Sequence, residues 1–429
     1  MKAFRLDFLR RMGLLLIFAL PLTAEAQQDS CSLVLRQRLD SVMAVESEVL
    51  ERTQCGLLIY DLTADSVLYA HGQRQCLRPA SCQKVVTAVT ALALLGTDYN
   101  YSTTLSLRGE VKDSTLSGDL YIRAGVDPLF SRDDLRAFVQ GLQSRGIYHI
   151  TGDIFVDVSI RDTVKLGWGW CWDDDFKSYA ALMYGGRDTF MSNFQRALRD
   201  AGITVDGVQR RARVPEEAEE VVRRTHTIDQ ILMRMMKESD NQYAESLFAQ
   251  IAARSGKAYA GHKEGEAQVK RFIERLQLTP SHYQIADGSG LSLYNYATPQ
   301  LLVAMLRYAY QHGDVYEHLL PSLPIAGRDG TLRKRMRGTP AEGNVCAKTG
   351  SVTGISTLAG YCTAPNGHRL AFAIMNQGLR YAATGRAMQD RLCIALTTPV
   401  AQPVVEAPQQ EEEETAEPAP ESPEPAPEE

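Results

Sequence analysis

One serine and one lysine in this 429-residue chain have the spacing of a nucleophile and its base. Ser81 and Lys84 follow Pro79 and precede an almost uncharged run of helix formers and β-branched residues, 85–95. Because residues i and i+3 share one helix face, a lysine buried there could accept the serine proton. The competing interpretation is a capping serine with a surface lysine, but a lysine opening so apolar a helix is not expected to be wholly exposed.

Two further polar groups have spacings that suit acyl transfer: Ser239-x-Asn241 and Lys348-Thr349-Gly350. The first lies in a break of a helical pattern, where a polar triplet is usually a turn. In a functional role, Ser239 could relay a proton to a leaving amine and Asn241 could hold a substrate carbonyl. The second lies at the end of an expected strand. There Lys348 supplies positive charge, Thr349 a hydroxyl, and Gly350 room for a ligand at the backbone, so a peptide could lie along the strand.

Together and in this order, the three groups resemble the motif set of penicillin-binding proteins and serine β-lactamases. The chain resembles the low-molecular-mass class C penicillin-binding proteins, a family of D-alanyl-D-alanine carboxypeptidases/endopeptidases. The likeness runs from about Cys55 to Gly378. It rests on these further segments: 78–81, 118–120, 150–153, 168–174, 237–241, 287–292, 330–332 and 347–354.

The resemblance implies roles for individual residues. The implied catalytic set is Ser81, Lys84, Ser239, Asn241 and Lys348. The implied substrate-binding set is Thr349, Gly350 and Ser351. In the family's pattern, the N–H groups of Ser81 and Ser351 form the oxyanion hole, and the hydroxyls of Thr349 and Ser351 bind the terminal carboxylate. Two positions depart from the pattern: Ser351 replaces an expected threonine, and Cys82 replaces a small polar residue and is expected to be a buried, inert thiol.

The function that the resemblance implies is removal of the terminal D-Ala from peptidoglycan stem peptides, with β-lactams as inhibitors. Cleavage of D-Ala–diamino-acid cross-links by the same site is implied as well. One alternative is a β-lactamase or esterase on the same scaffold, which often needs a Glu acting through water. No Glu with a convincing motif lies between Asn241 and Lys348. The other alternative is a catalytically silent wall-binding protein, which the three intact motifs disfavour. A homo-oligomer is left open.

The fold expected around these motifs is an α/β (α+β) architecture. It is a penicillin-binding-protein/β-lactamase-like transpeptidase domain, an antiparallel sheet flanked by helices, with a smaller inserted α/β domain. The peptidase domain is expected to comprise 27–96 and 224–402, and the inserted domain 97–223. The block 180–193 is shorter than in the fullest family members, which argues against a third domain. The expected elements are helices 31–50, 85–95, 228–253 and 385–396, and strands 56–60, 66–70, 344–348, 355–364 and 369–376.

Both ends of the chain differ in composition from its centre. Residues 1–26 have a basic start, a short apolar stretch and an Ala-x-Ala ending, which predicts a cleaved signal peptide and a periplasmic location. No segment is expected to span a membrane after cleavage. Residues 403–429 are rich in Pro and Glu and are expected to be a disordered acidic tail. The tail holds ten Glu, so the net charge of −6 becomes about +2 for residues 27–402. This balance argues against a nucleic-acid partner.

No cofactor and no metal are expected. The eight histidines show no ligand spacing, and the eight cysteines contain no Cys-x-x-Cys pair. A few disulfides and several plain buried thiols are expected in an exported chain, with no pair specified. Trp168, Trp170 and Trp172 could line a groove for sugars or muropeptides, but burial of one face of a strand or turn is the favoured interpretation.

Overall fold

The computed structural model of the chain describes residues 22–161, 168–171, 182 and 190–400. The helices within these residues are α1 (Leu22–Val45), α2 (Ser47–Arg52), α3 (Gln83–Leu95), α4 (Arg132–Ser144), α5 (Phe190–Asp200), α6 (Ile228–Lys237), α7 (Asn241–Ala253), α8 (His262–Arg275), α9 (Pro299–Gln311), α10 (Gly313–Ser322) and α11 (Ala382–Thr397). Short 3₁₀ turns span Ala80–Cys82, Pro280–His282 and Gly330–Leu332.

The strands of the same residues form two sheets. They are β1 (Gln54–Asp61), β2 (Ser66–His71), β3 (Asn100–Lys112), β4 (Thr115–Arg123), β5 (His149–Ile150), β6 (Ile154–Asp157), β7 (Thr204–Val205), β8 (Gln209–Arg211), β9 (Glu219–Thr227), β10 (Cys346–Val352), β11 (Ile355–Thr363) and β12 (Arg369–Gln377). The first sheet has the order β10-β11-β12-β1-β2 and is antiparallel throughout.

Helices cover both faces of the first sheet, which explains why β11 and β12 are buried along almost their whole length. Successive residues of a strand point to opposite faces. Leu57 accordingly joins the apolar core under α1 and α11, while Leu58 joins the core formed with α3, α7 and α9. In α3 every residue from Gln83 to Leu92 is buried, as its nearly uncharged sequence predicts. The helix that carries the candidate base therefore lies inside the domain.

The second sheet forms a separate α/β unit between residues 100 and 227. Its order is β7-β5-β4-β3-β9. Strand β6 also pairs with β4, and β8 pairs with β6. Helices α4 and α5 close a third apolar core, in which Phe130, Phe138 and Phe190 pack edge to face or tilted against one another.

The chain enters and leaves the second unit at one point. The backbone N–H of Ile228 donates to the carbonyl of Tyr99 at 2.9 Å, so α6 begins beside the residue that precedes β3. The unit is thus inserted between α3 and α6. Strand β9 pairs with β3 as far as Thr227, beyond the boundary expected at residue 223.

The expected fold class is confirmed, and so are several individual elements. The hairpin of β1 and β2, the buried α3 and the break between α6 and α7 occur where the sequence predicts them. The strand expected at 344–348 instead spans Cys346–Val352, so Lys348-Thr349-Gly350 lies inside the strand rather than at its end. Among the described helices, none combines the length and apolar character that a bilayer crossing requires.

Helix α1 gives a matched test of how the first sheet is covered. Leu39 is fully buried against the sheet, whereas Leu33 in the same helix is 53% exposed. We expect Leu39→Ala to lower the free energy of unfolding by about 2–5 kcal/mol, because it leaves a cavity in a packed core. Leu33→Ala should change it by less than about 0.5 kcal/mol. Urea unfolding followed by tryptophan fluorescence measures both, and equal effects would contradict the docked position of α1.

Candidate active site

Ser81 stands on the 3₁₀ turn Ala80–Cys82 that leads into α3. Ala80 has a positive φ of 45°, a conformation that costs a non-glycine residue about 1–3 kcal/mol and tends to occur at functional sites. Ser81 remains partly exposed, while Lys84, one helical turn later, is fully buried. The Nζ of Lys84 donates to the Oγ of Ser81 at 3.0 Å. The structure thus places the expected nucleophile and base in direct contact.

Three oxygen atoms surround the Lys84 ammonium group. Its Nζ lies 3.0 Å from Ser81 Oγ, 2.7 Å from Asn241 Oδ1 and 2.8 Å from the carbonyl oxygen of Ser289. Burial nevertheless lowers the pKa of Lys84 to about 8, because loss of solvent penalises the charged form more than nearby carboxylates such as Asp287 stabilise it. A lysine with such a pKa can be neutral near physiological pH and take a proton from Ser81.

Lys348 on β10 is a second fully buried lysine. Its Nζ donates to Ser239 Oγ at 2.8 Å and to the carbonyl of Thr349 at 2.7 Å. Burial lowers its pKa to about 7, and the positive charge of Lys84 acts in the same direction. Two lysines whose charged forms are suppressed by burial therefore face one site.

The connection between α6 and α7 joins the two lysines. Ser239, with a positive φ of 60°, bonds to Lys348, and Asn241, the first residue of α7, bonds to Lys84. Asp240 caps α7 by accepting from the N–H of Gln242 at 3.0 Å. This cap starts the new helix at Asn241 and explains why the polar triplet interrupts the helical pattern.

Strand β10, at the edge of the first sheet, lies against the turn that carries Ser81. Thr357 Oγ1 donates to the carbonyl of Pro79 at 2.8 Å, and the Cys82 thiol donates to the carbonyl of Lys348 at 3.2 Å. A Cβ on Gly350 would lie 2.7 Å from the oxygen of Pro79 and would also collide with Thr357 Oγ1. Glycine is thus required at this position by the close approach of two backbones, a structural reason beside the ligand access expected from the sequence.

The two hydroxyl residues that follow differ in their surroundings. Thr349 donates from Oγ1 to Thr331 Oγ1 at 2.8 Å, which ties β10 to the Gly330–Leu332 turn. Ser351 is exposed on the same strand. Lys237 holds this side of the site, because its Nζ bonds to Asp329 and to the carbonyl of Leu323, both at 2.6 Å. Thr349 and Ser351 thus lie on the same strand as Lys348.

Glu245 is a site residue that sequence reasoning missed. It lies one turn after Asn241 on α7, is 2% exposed, and accepts from the backbone N–H groups of Ser289 at 2.8 Å and Gly288 at 3.4 Å. Burial raises the pKa of Glu245 to about 8, and the negative charge of Asp287 adds to the effect. The helical spacing from Asn241 was visible in the sequence, but its contact with residue 289 is a tertiary one.

Asp287 fixes the loop that presents the Ser289 carbonyl to Lys84. Its carboxylate accepts from the backbone N–H groups of Gly290 at 2.7 Å and Ser292 at 2.6 Å, and from Asn295 Nδ2 at 2.7 Å. The indole Nε1 of Trp170 donates to it at 2.8 Å. A carboxylate that accepts four hydrogen bonds holds this loop in one conformation.

The tryptophan cluster divides between a structural and a surface position. Trp170 is 8% exposed and bonded to Asp287, whereas Trp168 is 40% exposed and stacks on His262 with ring centroids 5.5 Å apart. Trp172 and most of the 180–193 block lie outside the described residues. For Trp170, the contact fits the buried interpretation.

The cysteines add no cross-link to the site. Seven of them carry free thiols: Cys31, Cys55, Cys76, Cys82, Cys346, Cys362 and Cys393. The expectation of a few disulfides is therefore not met among these seven. Burial raises the pKa of Cys82, so the thiol beside Ser81 is a poor competing nucleophile. Among the described residues, no cluster of three or more His, Cys, Asp or Glu side chains could hold a metal ion.

The chain is similar in sequence and in structure to known D-alanyl-D-alanine carboxypeptidases. The D-alanyl-D-alanine carboxypeptidase DacB of Haemophilus influenzae is 26% identical over 407 residues, covering 75% of this chain and 85% of that protein. The D-alanyl-D-alanine carboxypeptidase of Actinomadura sp. (strain R39) is 28% identical over 465 residues, covering 84% of each. The crystal structure of penicillin binding protein 4 (dacB) from Haemophilus influenzae superposes with a TM-score of 0.75 at 25% identity, covering 81% of this chain and 98% of that one.

The sequence profile of one family matches nearly the whole described chain. The match covers residues 35–186 and 183–398 and includes all eight residues expected at the site. This chain therefore belongs to the D-Ala-D-Ala carboxypeptidase 3 (S13) family.

Proposed function

We propose that this chain is a serine-type D-Ala-D-Ala carboxypeptidase that removes the terminal D-Ala of peptidoglycan stem peptides through an acyl-enzyme on Ser81. The observation that carries the proposal is the buried Lys84, whose Nζ lies 3.0 Å from Ser81 Oγ and whose pKa burial lowers to about 8. Family membership supports the substrate class. A neutral lysine in hydrogen-bond contact with a serine is a nucleophile paired with its base.

In the acylation step, Lys84 takes the proton from Ser81 as Oγ attacks the carbonyl carbon of the penultimate D-Ala. The backbone N–H groups of Ser81 and Ser351 are the proposed donors to the oxyanion. As the tetrahedral intermediate collapses, the C–N bond breaks and the proton that Lys84 took from Ser81 passes to the leaving amine, with Ser239, which is bonded to Lys348, as the proposed relay. Lys84 is then neutral again. The products of this step are free D-Ala and an ester on Ser81.

In the deacylation step, a water molecule attacks the ester carbonyl while Lys84 accepts its proton. Collapse of the second tetrahedral intermediate breaks the bond to Ser81 Oγ and returns the proton to it. The shortened peptide leaves as a carboxylate, and the site is restored. One base and one oxyanion site thus serve both steps, and the same chemistry applies to a D-Ala–diamino-acid cross-link.

Recognition of the terminal carboxylate is assigned to Lys348, Thr349 and Ser351. The bond from Thr349 to Thr331 and the exposure of Ser351 support this, since both hydroxyls lie on the strand that carries Lys348. A bound carboxylate would raise the pKa of Lys348, because an opposite charge at close range favours the protonated form. Binding therefore restores the cation that burial suppresses.

Export and periplasmic location are part of the proposal and rest on residues 1–26, of which 1–21 lie outside the described range. Helix α1 begins at Leu22, so cleavage after Ala26 would leave its residues from Gln27 onward in place. Cys31 and Leu35, which are buried against the sheet, lie beyond that point. Removal of the leader is thus compatible with the packing of the first sheet.

The nucleophile is tested by intact mass after brief incubation with benzylpenicillin. We expect the wild-type chain to gain one drug mass and Ser81→Ala to gain none, because the β-lactam carbonyl is attacked by the same Oγ. Ser144→Ala, at an exposed serine of α4, is the matched control and should still be acylated. An unmodified wild-type chain with intact drug would point to a silent wall-binding protein, and hydrolysed drug without an adduct would point to a β-lactamase.

The pH dependence of acylation tests the base. Lys84 must be neutral to accept a proton, and its pKa is lowered to about 8. At saturating drug, where the bound carboxylate keeps Lys348 charged, the acylation rate should therefore rise with pH and reach half its plateau near pH 8. Stopped-flow measurement with a chromogenic cephalosporin between pH 6 and 10 gives this profile. A rate independent of pH over this range would exclude Lys84 as the base.

Asn241→Asp provides a variant with a defined direction of change. The new carboxylate would lie at the position of the Asn241 oxygen, 2.7 Å from Lys84 Nζ, and would stabilise the ammonium form. The pKa of Lys84 should rise, and the pH profile should move upward by about one unit or more. Gln242→Glu, at the neighbouring position, is the control for an added charge and should leave the midpoint nearly unchanged.

A further inference from the structure

A cavity of about 500 Å³ opens at the carboxyl-terminal end of β10, the strand that carries Lys348. Residues 351–354, which end β10 and turn into β11, form one wall. The connection before α11 and the first turns of that helix form the other wall, where Arg380 and Arg386 line the cavity. A space of this volume holds a small ligand or a side chain of a larger one. The strand that carries Lys348 thus leads directly to a cavity lined by two arginines.

Backbone contacts hold the two walls of the cavity together. The carbonyl of Gly354 accepts from the N–H groups of Gly378 at 2.9 Å and Leu379 at 3.0 Å. A Cβ on Gly385, in the first turn of α11, would lie 2.6 Å from Leu379 Cδ1 and 2.9 Å from Ser356 Cβ, so the helix packs closely on β11. The cavity is therefore formed by backbone that these contacts fix in place.

The two arginines that line the cavity have no acidic partner. Both are exposed, and among the described residues neither guanidinium pairs with a carboxylate. Arg335 nearby does, since its Nη2 lies 2.8 Å from Asp390. The Cζ of Arg380 lies 5.2 Å from the centre of the Tyr381 ring, a contact that leaves its N–H donors available. A planar guanidinium matches a carboxylate through two parallel hydrogen bonds, so the pair favours a ligand that carries one.

The proposed mechanism fixes the direction in which a peptide runs along β10. Lys348 and Thr349 meet its terminal carboxylate, and the N–H of Ser351 meets the carbonyl that is attacked. Residues upstream of the scissile bond therefore continue past Ser351 toward 352–354, where the cavity lies. Strand β10 is at the edge of the first sheet, so an extended peptide can pair with it. At ~3.3 Å per residue, the second and third residues of a stem peptide would lie within about 10 Å of Ser351.

A stem peptide offers a free carboxylate at two positions upstream of the scissile bond. A D-glutamate linked through its side chain at the second position leaves its α-carboxylate free, and a diaminopimelate at the third position carries a second carboxyl group. We propose that Arg380 and Arg386 form a subsite that binds one of these carboxylates. The subsite rests on the proposed function, which supplies the direction of the peptide. The two arginines touch no reacting atom, and they determine specificity by favouring stems that carry the free carboxylate.

Peptide selectivity of the full chain tests the subsite. Four pentapeptides combine D-glutamate or D-isoglutamine at the second position with diaminopimelate or lysine at the third. The readout is the ratio of kcat/KM for the peptide with both carboxylates to kcat/KM for the peptide with neither. Arg380→Gln together with Arg386→Gln should lower this ratio at least about tenfold at low ionic strength, chiefly through KM. Because the ratio is taken within one chain, any unfolded fraction cancels. A ratio within about twofold of the wild-type value would overturn the proposal.

The two peptides with a single carboxylate identify which group is bound. If the subsite holds the α-carboxylate of glutamate, the double variant should lose selectivity only for peptides that contain D-glutamate. If it holds the carboxylate of the diamino acid, the loss should follow diaminopimelate. Either pattern supports the subsite, whereas an equal loss for all four peptides would overturn it, because the effect would not depend on a carboxylate.

Lys334→Gln is the matched control for a lost positive charge. Lys334 is exposed on the loop that follows the Gly330–Leu332 turn and does not line the cavity. Its replacement should change the selectivity ratio by less than about twofold, since a charge outside the cavity acts only through screened, long-range attraction. A loss equal to that of the double variant would overturn the subsite, because it would show general electrostatic steering.

Peptide binding separates this proposal from the proposed function. If the wild-type chain releases D-Ala from none of the peptides, the carboxypeptidase assignment fails, and calorimetry on the Ser81→Ala chain decides the subsite. Adding Arg380→Gln and Arg386→Gln to that chain should raise the Kd of the peptide with both carboxylates at least about fivefold relative to the neutral peptide. An unchanged Kd ratio would remove the subsite as well. If peptides are cleaved but the double variant keeps the wild-type selectivity, the subsite fails alone.

Discussion

The contact between buried Lys84 and Ser81 is the interaction on which the rest of the structure depends. An ammonium group without solvent is costly, and its partners decide how far its pKa falls. Three oxygen acceptors and the charge of Asp287 offset part of the penalty, and the pKa settles near 8. Full compensation would leave a permanent cation that could not act as a base, and no compensation would destabilise the fold. The surrounding elements maintain this intermediate balance.

Several features of the fold follow from that requirement. Helix α3 is apolar on all sides because it must keep solvent from Lys84, and the loop at Asp287 must be rigid because its Ser289 carbonyl is one of the three acceptors. The indole of Trp170, in the segment before α5, donates to Asp287. Asp287 in turn fixes the loop whose Ser289 carbonyl accepts from Lys84. The inserted unit is thereby coupled to the catalytic centre by a hydrogen-bonded brace, in addition to whatever surface it offers to substrate.

Helical spacing predicted the local pair, the family resemblance supplied the residues that meet it through tertiary contacts, and neither identified Glu245. The spacing of Ser81 and Lys84 fixes them on one helix face, so the pair could be predicted from periodicity. Glu245 could not, because its role depends on backbone N–H groups more than forty residues away in the chain. The strand at Lys348 was expected to end too early, because Thr-Gly-Ser is a weak strand sequence. Pairing with β11 and the close approach to Pro79 override that preference.

The two lysines have opposite requirements under one physical constraint. Burial lowers the pKa of both, yet in the proposed mechanism Lys84 must be neutral to accept a proton and Lys348 must be charged to hold a carboxylate. Electrostatic coupling between titrating groups is reciprocal. A carboxylate that restores the charge of Lys348 would therefore also lower the proton affinity of Lys84 through that charge, while its own negative charge acts in the opposite sense. Asn241 and Ser239, which bond to one lysine each, keep the two groups at fixed positions. Ligand recognition and activation of the base are thus linked by geometry that one tight connection between two helices imposes.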